Sequence, residues 1–168
     1  MKGILLRYFN PAGAHPSGKI GEAPSQIAQN LVPVITETAI GKRTKMMVYG
    51  SDYPTRDGSC VRDYIHVCDL ASAHTLALAH MLSGAQTTSV DVFNLGIGQG
   101  LTVLEVIKAF EAESGESLNY EIGARRPGDV GAIYSDNAKA QQVLGWSPQF
   151  DAKDIMRTAW AWEKSRSK

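Results

Sequence analysis

The chain has 168 residues, and its 17 lysine and arginine residues balance 17 aspartate and glutamate residues, so the formal net charge is zero. A chain without net charge has no overall field that would attract nucleic acid or an anionic membrane, and we expect neither as a partner. No apolar run approaches the roughly 18 residues that a membrane-spanning helix needs. These features predict a cytoplasmic protein that forms one unit over residues 1–168.

Strand and helix patterns alternate from the start of the chain. Residues 4–8 form a short apolar run without helical spacing, which predicts a buried parallel strand. Residues 10–24 are rich in Gly, Pro and Ser and predict a loop. Helical spacing then runs from Ile27 to Thr38, and Pro33 within it predicts a bend or two shorter helices.

The same alternation continues to the end of the chain. Further strands are predicted at 46–49, 61–67, 90–95 and 119–122, and further helices at 69–82, 102–114, 137–144 and 151–166. The helix from residue 102 has a capping box, with Glu105 three residues after Thr102. The order of elements indicates an α/β fold, or a mixed α+β fold.

The segment Gly96-Ile97-Gly98-Gln99-Gly100 looks like a dinucleotide-binding loop, because it lies between a strand and a helix. The third glycine of that motif would fall at position 101, where the chain has leucine. A tight turn beside a neighbouring ligand is therefore favoured over an independent dinucleotide site.

Cys60 and Cys68 are the two cysteines of the chain. A disulfide between them remains open, but we favour two reduced, half-buried thiols. No histidine or cysteine pair has the spacing of a metal site, so no metal is predicted.

Arg62 and Arg126 are the strongest candidates for a binding site. A guanidinium group can bond two oxygens of a diphosphate at once, which a lysine cannot do. The alternative is a set of surface ion pairs, Arg62 with Asp63 and Arg125 or Arg126 with Asp129. The Arg-Arg-Pro-Gly-Asp run is a stiff, bent loop and not a solvated helix face, which favours a ligand.

Five short blocks carry a resemblance to a known family. They are Arg7-Tyr8-Phe9-Asn10-Pro11, Asn30-Leu31, Arg62-Asp63-Tyr64-Ile65-His66-Val67, Asn94-Leu95-Gly96 and Arg125-Arg126-Pro127-Gly128-Asp129. In this order they resemble the C-terminal half of the UDP-glucose 4-epimerases, which are extended short-chain dehydrogenases/reductases. The resemblance implies the substrate-binding part of that fold, with strands that would complete a Rossmann-type sheet.

The resemblance also implies a role for each matching residue. UDP-sugar binding is implied for Asn10, Asn30, Leu31, Met47, Tyr49, Arg62, Tyr64, Arg126 and Asp129. Tyr8 and Pro11 match positions beside the nicotinamide end of NAD. For the three tyrosines, ordinary strand packing is the alternative. Ile133 falls where some members have a large aromatic that closes the sugar pocket, so it implies room for an N-acetyl group.

The chemical half of the family is missing from these residues. None of the six tyrosines has a lysine four positions later, and no Gly-rich NAD loop is recognised. NAD is implied as the family's cofactor without its main site here, and no catalytic residue is assigned to this chain. The implied reaction of the whole enzyme interconverts UDP-galactose and UDP-glucose through a 4-keto intermediate.

Three interpretations follow for the chain itself. It is the substrate half of an epimerase that needs a separate NAD-binding half, a non-catalytic UDP-sugar-binding module, or a functionless fragment. The first strands would leave a bare sheet edge, which a separate half or self-association would cover.

Overall fold

The computed structural model describes residues 2–167, which fold into nine strands and five helices. The strands are β1 (Gly3–Tyr8), β2 (Asn10–Ala12), β3 (Met46–Tyr49), β4 (Val61–Arg62), β5 (Tyr64–His66), β6 (Val90–Leu95), β7 (Leu101–Thr102), β8 (Tyr120–Gly123) and β9 (Ala132–Ile133). The helices are α1 (Leu31–Ala39), α2 (Val67–Leu82), α3 (Val103–Ser114), α4 (Ala138–Leu144) and α5 (Ala152–Arg166).

The strands pair in four small sheets that are mostly parallel. β1 pairs with β6, β2 with β5 and β3 with β8, all in parallel. β4 lies between β7, which is antiparallel to it, and β9, which is parallel. Parallel pairs joined through helices are characteristic of the α/β class, so the predicted class is confirmed.

Two hydrophobic clusters fill the interior. The larger one joins α1, α3 and α5 to β3, and Phe110 packs edge-on against Trp160 within it. The smaller one joins α2 and α4 to the β1–β6 pair around Phe93 and Trp146. The cavity described below opens beside the larger cluster, between α1 and β3.

The first helix begins later than the sequence pattern predicts. α1 begins at Leu31, and Ile27, which was expected on its buried face, is 79% exposed. Pro33 therefore lies in the first turn, where the backbone N–H has no partner within the helix in any case. The predicted bend at Pro33 is wrong for this reason, and α1 is a single segment.

The strand predicted at 61–67 is divided at Asp63 into β4 and β5, which belong to different sheets. The Asp63 carboxylate is fully buried and accepts hydrogen bonds from the amides of Ile97, Gly98 and Ser135 and from the Ser135 hydroxyl, at 2.7–3.1 Å. The chain changes sheets at the residue that makes these bonds. The prediction of one continuous strand is therefore wrong.

Three short strands were not predicted as such. β2 occupies the first residues of the predicted loop at 10–24, because Asn10 to Ala12 pair with β5. β7 and β9 have two residues each and flank β4. A two-residue strand has too few positions to show an alternating pattern, so tertiary pairing alone defines it.

Local capping signals agree with the observed helix ends. The Thr102 side chain accepts from the Glu105 amide, and the Glu105 carboxylate accepts from the Thr102 amide, which confirms the predicted capping box. Gly115 ends α3 in the left-handed conformation with φ of 75°. Asp151 and Asp154 form a second capping box at the start of α5.

His66 is a buried N-cap that sequence analysis did not single out. Its Nδ1 accepts from the Cys68 amide at 3.1 Å, so the neutral ring carries its proton on Nε2, which faces the Thr158 hydroxyl at 3.1 Å. The ring stacks on Phe150 with a centroid separation of 4.2 Å. Burial lowers the pKa of His66 below its ordinary value of 6.5, while the neighbouring Asp69 and Asp154 oppose this shift.

We expect this buried histidine to make the fold sensitive to acid. A pKa that is lower in the folded state means that the unfolded chain binds more protons, so the contribution of His66 is complete above about pH 6.5 and is lost as the pH falls below it. His66→Asn, which keeps an N-cap side chain, should flatten the decline in the free energy of unfolding between pH 7 and pH 5, measured by urea denaturation. The partly exposed His80→Asn should not, and equal slopes in both variants would contradict the expectation.

One face of the β1–β6 pair is uncovered. α2 packs on the face that carries Ile4 and Leu6, whereas Leu5 and Val90 on the opposite face are 56% and 53% exposed. Within residues 2–167, β1 pairs with β6 alone and its other edge has no strand partner. This face and edge form an apolar surface that another polypeptide could cover.

The sequence also led to predictions about the cysteines, metal ligands and membrane-spanning helices. Cys60 is buried, Cys68 is half-buried, and both are free thiols. In the described part of the chain, no three His, Cys, Asp or Glu side chains are grouped as metal ligands. None of the helices between residues 2 and 167 has the length and apolar character required to traverse a bilayer.

Candidate functional site

A cavity of about 630 Å³ lies where the tip of β2, the start of α1, the outer face of β3 and the loop at 125–129 meet. This volume is within the range of small-molecule sites. Most of the predicted site residues line it: Asn10, Pro11, Asn30, Leu31, Met47, Tyr49, Arg62, Tyr64, Arg126 and Asp129. Residues that are far apart in the sequence therefore share one concave surface.

Two arginines converge on one carboxylate in this cavity. Arg62 Nη2 lies 3.4 Å from Asp129 Oδ1, and Arg126 Nε lies 3.0 Å from Asp129 Oδ2. Arg62 is also fixed by the carbonyls of Val61 and Val130, to which its Nη1 donates at 2.8 and 2.9 Å. Of the alternative ion pairs, Arg126 with Asp129 does form, whereas Arg62 with Asp63 does not, because the Asp63 carboxylate bonds to the Ile97 and Ser135 amides. Two guanidinium groups that share one anion are suited to a ligand with two negative charges.

An aromatic ring lies next to this charged end. Tyr49 is 40% exposed, and the Arg126 guanidinium lies over its ring at 4.7 Å from the centroid. Met47 lines the cavity from the same face of β3, because residues two apart in a strand point to the same side. A flat ring beside a cationic pair can support a base next to its phosphates.

The loop that carries Arg126 is held in place by its neighbour. Arg125 Nε donates to Asp52 Oδ1 at 2.7 Å, and Arg125 Nη2 donates to the Asp52 carbonyl at 2.6 Å. The same guanidinium lies 4.1 Å from the centre of the Tyr53 ring. The hydrogen bond from Arg125 lowers the pKa of Asp52, so this ion pair persists at neutral pH. Arg125 therefore has a positioning role, and Arg126 is the member of the pair that faces the cavity.

The start of α1 forms the opposite wall. Asn30 is the N-cap residue but makes no capping bond; its amide group donates to Glu22 Oε1 at 2.9 Å. The first amides of a helix have no acceptor within it, so those of Leu31 and Val32 remain free for a ligand. Free amides at a helix N-terminus favour an anionic group.

Asn10 and Tyr64 are adjacent across the β2–β5 pair at the base of the cavity. The Asn10 side chain donates to the Asp63 carbonyl at 3.1 Å, which fixes its orientation. Tyr64 is almost fully buried, and burial raises its pKa, so its hydroxyl stays protonated. Both side chains are held rigidly by the sheet.

Two predicted residues lie outside this cavity. The Tyr8 hydroxyl is 2.7 Å from His74 Nε2 on α2, and Tyr8 is 46% exposed. Ile133 on β9 pairs in register with Arg62 and is 47% exposed. Ile133 is thus next to the charged end of the cavity without lining it.

Sequence analysis missed two cations and a thiol in the cavity wall. Arg43, Lys45 and Cys60 all line it. The spacing of Lys45, two residues before Met47 on the same strand face, was a signal that could have found it. Arg43 had no such signal, since the fold alone brings it to the start of α1.

The glycine-rich loop at 96–100 binds a side chain of the protein itself, the Asp63 carboxylate. The amides of Ile97 and Gly98 donate to the Asp63 carboxylate at 2.8 and 3.1 Å. A Cβ atom at Gly96 would lie 2.3 Å from Asp63 Oδ2, so this glycine is required by close packing. Both observations support the turn over an independent dinucleotide site.

Comparison with known proteins assigns the family. The family model described as GDP-mannose 4,6 dehydratase matches residues 1–159. The chain belongs to this family. The predicted resemblance to UDP-glucose 4-epimerases is also confirmed, since the UDP-glucose 4-epimerase of Bacillus subtilis is 48% identical over 161 residues, which are 96% of this chain and 47% of that protein.

Solved structures of related proteins agree with this family assignment. The UDP-glucose 4-epimerase of Stenotrophomonas maltophila, with bound NAD and formylated UDP-arabinopyranose, superposes with a TM-score of 0.96 at 44% identity and covers 99% of this chain and 49% of that one. The Bifidobacterium longum enzyme, in complex with NAD+ and UDP, gives a TM-score of 0.92 at 45% identity over 98% of this chain and 48% of that one. The chain therefore spans about half the length of these relatives, in agreement with the predicted C-terminal half.

Proposed function

We propose that this chain is the nucleotide-sugar-binding half of a UDP-hexose 4-epimerase. The observation that carries the proposal is the convergence of Arg62 and Arg126 on Asp129 in a cavity that also holds Tyr49. A UDP-sugar has a diphosphate for the arginines, a ribose whose hydroxyls can donate to Asp129, and a base for the tyrosine. Relatives with 44% and 45% identity bind UDP or a UDP-sugar, which supports the same ligand here.

In the mechanism that we propose, this chain binds and orients the substrate. The guanidinium groups of Arg62 and Arg126 and the amides at the start of α1 hold the diphosphate, and this fixes the direction in which the hexose leaves the cavity. Asn10 and Tyr64, both held by the sheet, line the floor of the cavity. A bound NAD would supply the hydride acceptor and donor at C4 of the hexose.

Residues for the rest of that cofactor are not found in this chain. Tyr8 and Pro11 match positions beside the nicotinamide end, and the amides of Ile97 and Gly98 in the 96–100 loop already donate to Asp63. No tyrosine of the sequence is followed by lysine at the fourth position, so the proton that leaves the C4 hydroxyl needs a base from outside these residues. We propose that an NAD-binding half, which would supply this base, covers the exposed face of the β1–β6 pair.

Titration with UDP in a calorimeter tests the binding proposal. Binding would favour the first two interpretations, and the absence of binding at millimolar UDP would leave the functionless fragment. Conversion of UDP-galactose after addition of an NAD-binding half from a relative and NAD would distinguish an epimerase half from a non-catalytic module. We expect weak binding and no turnover by the chain alone, because part of the pocket wall is supplied by the other half.

The position of Ile133 leads to a prediction about the sugar. It lies beside Arg62 at the charged end of the cavity, from which the hexose would extend. If Ile133 leaves room for an N-acetyl group, Ile133→Tyr should weaken UDP-N-acetylglucosamine binding relative to UDP-glucose binding by about tenfold, through steric exclusion. Ile122→Tyr, at a similarly exposed isoleucine on β8, is the control. Identical affinity ratios in the two variants would leave Ile133 without a role.

A further inference from the structure

Lys45 comes just before β3, at the end of the strand opposite Tyr49 and the Arg126 guanidinium. It lines the cavity and has a side chain that is 46% exposed. Side chains at alternate strand positions share a face and follow one another at about 6–7 Å. Tyr49, Met47 and Lys45 therefore form a row, and the Arg126 guanidinium over Tyr49 marks its phosphate end. A base that lies along this row points its far edge at Lys45.

The main chain of Met47 offers such a base one donor and one acceptor. The amides of Met46 and Gly50 donate to the carbonyls of Asn119 and Gly123 on the β8 side, at 3.0 and 2.9 Å. Main-chain groups of a parallel strand alternate in direction, so those of Met47 point away from β8. A donor and an acceptor side by side can bond uracil through a carbonyl and N3–H, but they can equally bond cytosine through N3 and its amino group. The main chain alone does not select one pyrimidine.

The side chain of Lys45 has the polarity that separates the two bases. An ammonium group has three donors and no acceptor, so it attracts the O4 carbonyl of uracil and opposes the amino group of cytosine. Its Nζ donates one hydrogen bond to Glu121 Oε2 at 2.7 Å, so two N–H groups remain for a ligand. Arg43, which also lines the cavity, already donates to the Ala28 carbonyl and to the Glu37 carboxylate at 2.5 and 2.7 Å, so it holds neighbouring segments of this chain together.

We propose that Lys45 is a specificity-determining residue that selects a uracil base over a cytosine base by donating a hydrogen bond to its O4 atom. This inference rests on the proposed function, since it assigns the base end of the same nucleotide site. Glu121 holds the ammonium group at the mouth of the cavity in the absence of ligand. In a chain without Lys45, the freed Glu121 carboxylate would instead favour an amino group.

Calorimetric titration of the full chain with UDP and with CDP tests the proposal. We expect the unaltered protein to bind UDP at least about tenfold more tightly than CDP. This difference corresponds to the free energy of one charged hydrogen bond to a base edge. Lys45→Met should bring the two affinities within about threefold of each other, by weakening UDP and strengthening CDP. Lys45→Arg, which keeps a donor-only cation, should retain the preference. Lys139→Met is the matched control, because Lys139 is 52% exposed and pairs with Asp91 outside the cavity.

The outcomes are distinct. An unchanged UDP to CDP ratio in Lys45→Met, or the absence of a preference in the unaltered protein, would overturn the role of Lys45 while UDP binding stands. A failure of the unaltered protein to bind UDP would instead overturn the proposed function. If Lys45→Met does not fold, retention of the preference in Lys45→Arg and its loss in Lys45→Gln decide the question in the same way.

Discussion

Replacement of both Arg62 and Arg126 by alanine is expected to weaken UDP binding by about a hundredfold or more. Each charged hydrogen bond is worth about 1.5–3 kcal/mol, and about 1.4 kcal/mol corresponds to a factor of ten in affinity. The two residues approach the same carboxylate, so both would reach one diphosphate. Isothermal titration of each single variant and of the double variant measures the effect.

A control separates loss of the clamp from loss of the fold. Arg157→Ala removes an arginine that is 51% exposed and pairs with Asp154 within α5, away from the cavity. Its UDP affinity should equal that of the unaltered protein. Arg62→Lys is informative as well, since it keeps the charge but loses the planar fork, and it should recover only part of the affinity. A double alanine variant that binds UDP within threefold of the unaltered protein would refute the clamp.

Removal of the Asp63 carboxylate is expected to destabilise the protein more than any single surface change. Asp63→Ala leaves the buried amide of Ser135 and the partly buried amides of Ile97 and Gly98 without their acceptor. Each unsatisfied donor costs about 1–3 kcal/mol, so a total loss of about 3–5 kcal/mol in the free energy of unfolding follows. Urea denaturation followed by tryptophan fluorescence is the measurement.

The isosteric Asp63→Asn should also be costly, by about 2 kcal/mol, because an amide NH2 would face donors where an oxygen now accepts. Asp91→Asn, which loses one ion pair to the half-exposed Lys139, should cost less than about 1 kcal/mol. Similar unfolding free energies for Asp63→Asn and Asp91→Asn would show that the Asp63 bonds are not what holds this region together.

The elements that could be predicted from the sequence are those with local signals. The start of α3 follows from the Thr102 and Glu105 capping box, and its end follows from Gly115, because these residues satisfy the helix termini themselves. β3 and β6 have the predicted bounds, since they are apolar runs between turn residues. Neither case requires knowledge of a distant contact.

The elements that could not be predicted depend on distant contacts. The break at Asp63 is decided by amides more than thirty residues away, and the run from Val61 to Val67 otherwise has the composition of one strand. The late start of α1 has a similar cause. The carbonyl of Ala28 accepts from Arg43 and lies outside the helix, although the helical spacing of apolar residues extends back to Ile27.

Prediction of the candidate site depended on the same distinction. The blocks that resemble the epimerase family supplied most of the residues that line the cavity, because those positions match residue by residue. Lys45 and Arg43 lie outside the blocks, and their place in the wall depends on how β3 and the start of α1 meet. The roles of all these residues remain predictions until ligand binding is measured.

The carboxylate of Asp129 acts on the arginine pair as an intramolecular competitor. Because it is attached to the same loop as Arg126, its effective concentration at the guanidinium groups is of the order of millimolar or higher, and a free anion has to exceed it. Chloride and inorganic phosphate at low concentration would therefore be excluded. A ligand that also gains contacts with Tyr49 can displace the Asp129 carboxylate. The arginine pair would therefore bind a nucleotide in preference to small anions.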